Sequence, residues 1–132
     1  ARAQHLQQVI IPAVAAGKIV LCDRFSDSSF AYQCAGRGLS RDKLKLLNDH
    51  FVEKMPDISF WLDAPIELGM TRARERGALD RFEQEKLSFF EKVRSGFAEI
   101  HQHEPQRMKR LDATQSPEQV FSDALLELSK CA

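Results

Sequence analysis

The chain has 132 residues, nineteen of them lysine or arginine and nineteen aspartate or glutamate. That length fits one domain whose core needs no disulfide or metal staple, and 43% hydrophobic with 29% charged residues is ordinary for a soluble globular protein. The balanced charge gives no global case for nucleic acid or an anionic membrane, so any phosphate binding must come from locally placed arginines.

The first predicted helix runs from about Ala1 to Ala16. Leu6, Val9, Ile10, Ala13 and Val14 recur at intervals of three and four, Pro12 is placed to kink it, and Gly17 stops it. It begins without a cap, as a segment cut from something longer would. Lys18–Asp23, "KIVLCD", reads as a buried strand because it is continuously apolar and β-branched. Ser26–Gly36 reads as a helix capped by Ser26 or Asp27 and broken by Gly36 and Gly38. Ser40–Val52 is an amphipathic helix capped by Ser40.

Asp57–Asp63 is the next strand. Pro65 then opens a helix over Ile66–Arg76, ended by Gly77. A connector, "ALDRFE", leads into a long helix, Gln84–Glu104, with Leu87, Phe90, Val93, Phe97 and Ile100 on one face. "MKRLDA" (Met108–Ala113) is a third short strand, and Ser116 caps a last helix with Pro117 in its first turn. Strands alternating with helices imply βαβ units and a parallel sheet covered on both faces. The strands end alike, in "CDR", "LDA" and "LDA". Ligands of open α/β sheets bind beyond such carboxyl ends.

The three cysteines, Cys22, Cys34 and Cys131, form no C-x-x-C pair. They suit a reducing compartment rather than a zinc site or disulfide framework, with Cys22 as a small core residue. His5, His50, His101 and His103 make no H-x-x-x-H or H-E-x-x-H arrangement. No apolar run approaches a membrane span, and the chain shows no signal-peptide pattern.

Three constellations carry chemistry. Asp23-Arg24 follows the first strand, and an arginine there offers phosphate a planar fork of donors that Asp23 can orient; a local ion pair is the plainer alternative. Ser28, Ser29, Tyr32 and Gln33 fall on adjoining helix faces, where hydroxyls and a carboxamide can read the polar edge of a base; a capped surface helix is the plainer alternative. Arg72, Arg74, Arg76 and Arg81 crowd a segment hinged at Gly77. They could close over a triphosphate or simply form a salt-bridged helix end with Glu75 and Asp80.

Together, "DRFSDSSFAYQCAGRG" resembles the thymidylate kinase signature. "RARERGALDRFE" is similar to that family's lid and "LDATQSPEQV" to its adenine-side loop. The resemblance extends over essentially the whole chain. It implies a three-layer α/β/α sandwich with a parallel sheet, of the P-loop nucleoside monophosphate kinase type, forming one domain with a lid at about 72–83. It also implies phosphoryl transfer from ATP, with Mg²⁺ held mainly through phosphates and waters, to dTMP. Asp23, Arg24 and Arg76 would be catalytic. Arg24, Ser28, Ser29, Tyr32 and Gln33 would bind dTMP, and Arg37 would close the signature. Arg72, Arg76, Asp112, Ala113 and Thr114 would bind ATP. A homodimer through the first helix and a cytoplasmic location are implied too, with no nucleic-acid or membrane partner.

The sequence departs from the family in two ways. Cys34 and Ala35 stand where the family often has glycines, and Cys34 would be strained if its φ were positive. No G-x-x-x-x-G-K-[ST] phosphate loop occurs. The chain therefore corresponds to roughly the C-terminal two-thirds of such a kinase, lacks the N-terminal strand and loop, and is expected to be inactive alone. The competing readings are a kinase for another nucleoside monophosphate and a non-catalytic nucleotide- or partner-binding remnant.

Overall fold

A computed structural model describes residues 2–77 and 87–131. The connector at 78–83, Arg81 and the start of the long helix at 84–86 lie outside the described residues.

Helix α1 (residues 2–15) is α-helical over Arg2–His5, widens to a π-helical stretch at Leu6–Ile10, and returns to α over Ile11–Ala15. The wide register adjoins Pro12. A proline has no N–H to give and crowds the preceding turn, and a π stretch beside it relieves that crowding. Gly17 ends the helix as predicted. At φ +75° it lets its own N–H donate to Val14 O and the Lys18 N–H to Ala13 O, satisfying two of the last carbonyls.

The sequence reading fails at Lys18–Asp23. This run is irregular rather than a strand, and Ile19 and Leu21 are 93% and 92% exposed. A strand holds its shape by exchanging backbone hydrogen bonds with a neighbour. Among the described residues the two strands, β1 (Ser59–Asp63) and β2 (Met108–Asp112), pair only with each other. Cys22 is accordingly exposed, and the buried cysteine is Cys34.

Helix α2 occupies residues 26–36, α-helical at Ser26–Ser29 and π-helical at Phe30–Gly36. Neither predicted cap operates: Phe25 is the N-cap and makes no side-chain cap bond. Asp27 cannot cap because its carboxylate is engaged by Arg107. Helix α3 (Arg41–Phe51) is capped as expected, with Ser40 Oγ accepting from the Lys43 N–H. Helix α4 (Ile66–Glu75), helix α5 (Leu87–His103) and helix α6 (Pro117–Ser129) follow among the described residues. Ser116 Oγ caps α6 by accepting from the Gln119 N–H.

β1 and β2 run parallel, in register from Ser59 opposite Met108 to Asp63 opposite Asp112. This parallel pairing with flanking helices bears out the α/β class. The core forms where α5 lies on the sheet: Trp61, Ile100 and Met108 are buried together, with Phe30 and Phe97 against them. The Trp61 and Phe97 rings stack at 6.2 Å. Burying Met108 to 1% exposure contributes about 1.5–3 kcal/mol. Helix α2 lies against α5 at Gly96, where a Cβ would come within 2.8 Å of Ala35 Cβ and 3.0 Å of Ala31 Cα. Only glycine permits that approach. The expected double covering is incomplete, since Leu62 of β1 remains 59% exposed.

Candidate active site

The irregular run delivers Asp23 and Arg24 to an exposed bend. Arg24 has a φ of +65°. A non-glycine residue avoids that region unless its surroundings impose it, and such outliers concentrate at functional sites. The Arg24 guanidinium lies over the Tyr32 ring, 4.3 Å from its centroid, and Cys22 Sγ sits 3.7 Å from Arg24 O. A cation over an aromatic face is attracted by the ring quadrupole, so the stacking holds the fork of donors in place.

Tyr32 is itself braced edge-on by Phe89 and Phe97 of α5, at 6.2 and 6.3 Å. Ser28 is buried, Ser29 and Tyr32 are half-buried and Gln33 is exposed. Ser29 Oγ accepts a hydrogen bond from Arg2, which reaches over from α1. The sequence reading missed Arg2; twenty-seven residues separate the pair, and no local pattern marks the contact. Arg37 lies over Phe89, 5.0 Å from the ring centroid. Cys34 sits in the right-handed π stretch without the feared strain. Burial pushes its thiol pKa up, against the opposing pull of Arg41.

A second group forms beyond β2. Thr114 donates from both its N–H and its hydroxyl to Asp112 Oδ1, at 2.9 and 2.6 Å, closing a tight turn. Those bonds hold the Asp112 carboxyl below its ordinary range. Arg72 of α4 donates to Ala113 O at 2.5 Å and to Thr114 O at 3.4 Å. Arg76 donates back to Arg72 O at 3.2 Å. Arg72, Arg76, Ala113 and Gln115 help line a groove of about 700 Å³, together with the apolar Leu62 and Phe121.

The structure thus joins Arg24 with Tyr32, and Arg72 with Ala113 and Thr114, as two separate groups. No contact among the described residues brings Arg76 to Arg24. A third cluster escaped the sequence reading. Asp63, at the end of β1, accepts from Arg94 at 2.7 and 3.1 Å and from Arg110 at 2.6 and 2.8 Å. Burial works to raise its pKa, but the two guanidinium partners outweigh that and hold it low. The repeated "LDA" strand ending was the one local hint.

A profile of the thymidylate kinase family matches residues 1–124. The chain belongs to the thymidylate kinase family. It is 72% identical over 129 residues to a thymidylate kinase of Acinetobacter baumannii strain SDF, covering 98% of this chain and 65% of that relative. A Psychrobacter thymidylate kinase is 50% identical, covering 91% of this chain and 60% of its own length. The chain therefore spans about 65% of the length of the first of these relatives. Among solved structures, the thymidylate kinase of Ehrlichia chaffeensis superimposes with a TM-score of 0.74 at 29% identity, over 97% of this chain and 60% of that one. The family membership accounts for the shared signature, and the two groups of contacts lie on the segments that carry it.

Proposed function

We propose that the complete protein is a thymidylate kinase that transfers the γ-phosphoryl group of MgATP to dTMP, giving dTDP. The observation that carries this reading is Arg24, held in the left-handed region with its guanidinium stacked on Tyr32. A strained arginine fixed on an aromatic ring suits a monophosphate that must be oriented for in-line attack. Arg24 would hold that phosphate, Ser28, Ser29 and Gln33 would face the base, and Tyr32 would pack at the sugar or base.

At the other group, Arg72 and the backbone of Asp112, Ala113 and Thr114 would border the adenine of ATP. Arg76 would leave its own helix carbonyl to reach the phosphates. Mg²⁺ keeps several waters and takes substrate phosphates as ligands, and the exposed Asp23 carboxylate is a hard oxygen donor that fits such a shell. When bound, the ion neutralises charge on the transferring group. Catalysis is then positioning and electrostatic stabilisation, with no covalent intermediate.

The same reading makes the enzyme a cytoplasmic homodimer paired through α1, where Val9 is exposed. The test is ADP formation from MgATP by the complete protein with dTMP, dUMP, dCMP and dGMP side by side. The 132-residue chain, which has no phosphate-loop motif, serves as a control expected to be silent. Turnover dependent on dTMP supports the proposal. Preference for another monophosphate moves it within the class, and no turnover with any of the four leaves a nucleotide-binding role.

A further inference from the structure

Arg107 has no role in the sequence reading, yet among the described residues it makes the ion pair whose two side chains are together the most buried. Its Nη2 and Nη1 donate to the two carboxylate oxygens of Asp27 at 2.7 and 2.8 Å. Nη1 also donates to Ser59 Oγ at 3.2 Å, and Nε donates to Glu104 at 2.6 Å. Ser59 Oγ in turn donates to Asp27 at 3.1 Å. The Arg107 and Asp27 side chains are only 14% and 13% exposed. The backbone joins in, since the Ser59 N–H donates to Arg107 O at 2.8 Å. One guanidinium therefore ties together the start of β1, the approach to β2 and the first turn of α2.

The position of Asp27 gives this tie its meaning. It directly precedes Ser28 and Ser29, and the helix that carries them has no side-chain cap. A helix start without a cap leaves its first N–H groups unheld and frays readily. Farther along, α2 is held by its close approach to Gly96. The ion pair supplies the hold at the other end. A planar fork on a carboxylate restricts direction as well as distance, so the pair sets the angle of α2 as well as its contact with the sheet. That angle governs where Ser28, Ser29 and Tyr32 stand relative to Arg24.

We infer that Asp27 and Arg107 are positioning residues for the monophosphate site, anchoring the first turn of α2 to the β1–β2 sheet. This rests on the thymidylate kinase reading above. The pair touches neither the Arg24–Tyr32 contact nor the Arg72 group, so its effect falls on the monophosphate and spares ATP. The Arg107 pKa, pushed up chiefly by its hydrogen bonds to Asp27, is consistent with a pair that stays charged.

The test uses the complete protein and four variants: Asp27→Asn, Arg107→Gln, Arg107→Lys and the double variant Asp27→Asn/Arg107→Gln. Misplacement of a binding group is felt as a loss of roughly 10- to 100-fold. KM for dTMP should rise by that factor in Asp27→Asn and Arg107→Gln, with KM for ATP staying within about twofold. The double variant should be no worse than the poorer single one, as coupled residues require. Arg107→Lys, which keeps the charge but not the fork, should recover part of the loss. Amide hydrogen exchange gives a readout independent of activity: in Asp27→Asn, residues 26–36 should exchange at least about tenfold faster while α5 keeps its protection. Unchanged exchange in α2, or KM values for dTMP and ATP that rise together, would overturn the inference. Absence of monophosphate-dependent turnover in the unaltered protein would instead overturn the functional reading, and the assignment to that site with it.

Discussion

Residues 18–23 and residues 108–112 invite direct comparison. Both are short runs with an aspartate at the end, and both read as strands, the first as a buried one. One is β2, paired along its whole length with β1 and buried at Met108 and Leu111. The other is irregular, with Ile19 and Leu21 almost fully in solvent. Composition and β-propensity rank them the wrong way round, since Ile19 and Val20 favour a strand more than Lys109 and Arg110 do. The difference lies in what each run meets: β2 finds the edge of β1 and the apolar face of α5, and 18–23 finds neither. Strand formation is thus a property of a pair, and propensity describes only a side chain's fit to a surface that something else must provide.

Substitutions in and around each run separate the two. The largest loss is expected at Met108→Ala, at about 2–5 kcal/mol of unfolding free energy in urea titration, because a fully buried side chain leaves a cavity behind it. Gly96→Ala comes next, at about 1–3 kcal/mol, since the added methyl meets Ala35 and the backbone of Ala31. Leu21→Ser should change the stability of this chain by no more than about 0.5 kcal/mol, as an exposed substitution does. A loss at Leu21 as large as that at Met108 would show that 18–23 is buried after all.

The aspartates that end the two runs of the first half, Asp63 and Asp23, differ in their surroundings. Asp63 is buried and its carboxyl is held low by Arg94 and Arg110, so its ionised form is favoured in the folded state. A depressed folded pKa gives stability that is present above the unfolded value, about 3.9 for aspartate, and is lost as pH falls through the folded value. Acid titration of the unaltered chain should therefore show falling stability below about pH 4, with a shallower fall in Asp63→Asn. Equal slopes would mean that the two arginines contribute nothing. Asp23, at the end of the unpaired run, has no comparable partners among the described contacts.

Local signals in the sequence were reliable where the physics is local. Ser40 and Ser116 cap their helices, Gly17 ends the first, and the apolar spacing of α5 supplies Val93, Phe97 and Ile100 to the interior. The reading failed where a partner far along the chain decides the outcome. Asp27 looks like a cap until Arg107, eighty residues later, claims its carboxylate. Asp63 looks like a strand ending until two arginines converge on it. The π-helical stretches at Leu6–Ile10 and Phe30–Gly36 have no composition of their own. The site was legible in part: the signature marks Arg24 and Tyr32, while Arg2 and the clasp of Arg72 on Ala113 came only from the structure.

Arg24, strained at φ +65° and stacked on Tyr32, is proposed to place the monophosphate. The most direct test of that role is kcat/KM for dTMP in the complete protein, unaltered and as Arg24→Ala, with KM for ATP read in parallel. Removing one preorganised phosphate donor is expected to lower kcat/KM by about 10²–10³-fold and to leave KM for ATP nearly unchanged. A variant with undiminished kcat/KM for dTMP would contradict the account, and the stacking of Arg24 on Tyr32 would then be a matter of packing alone.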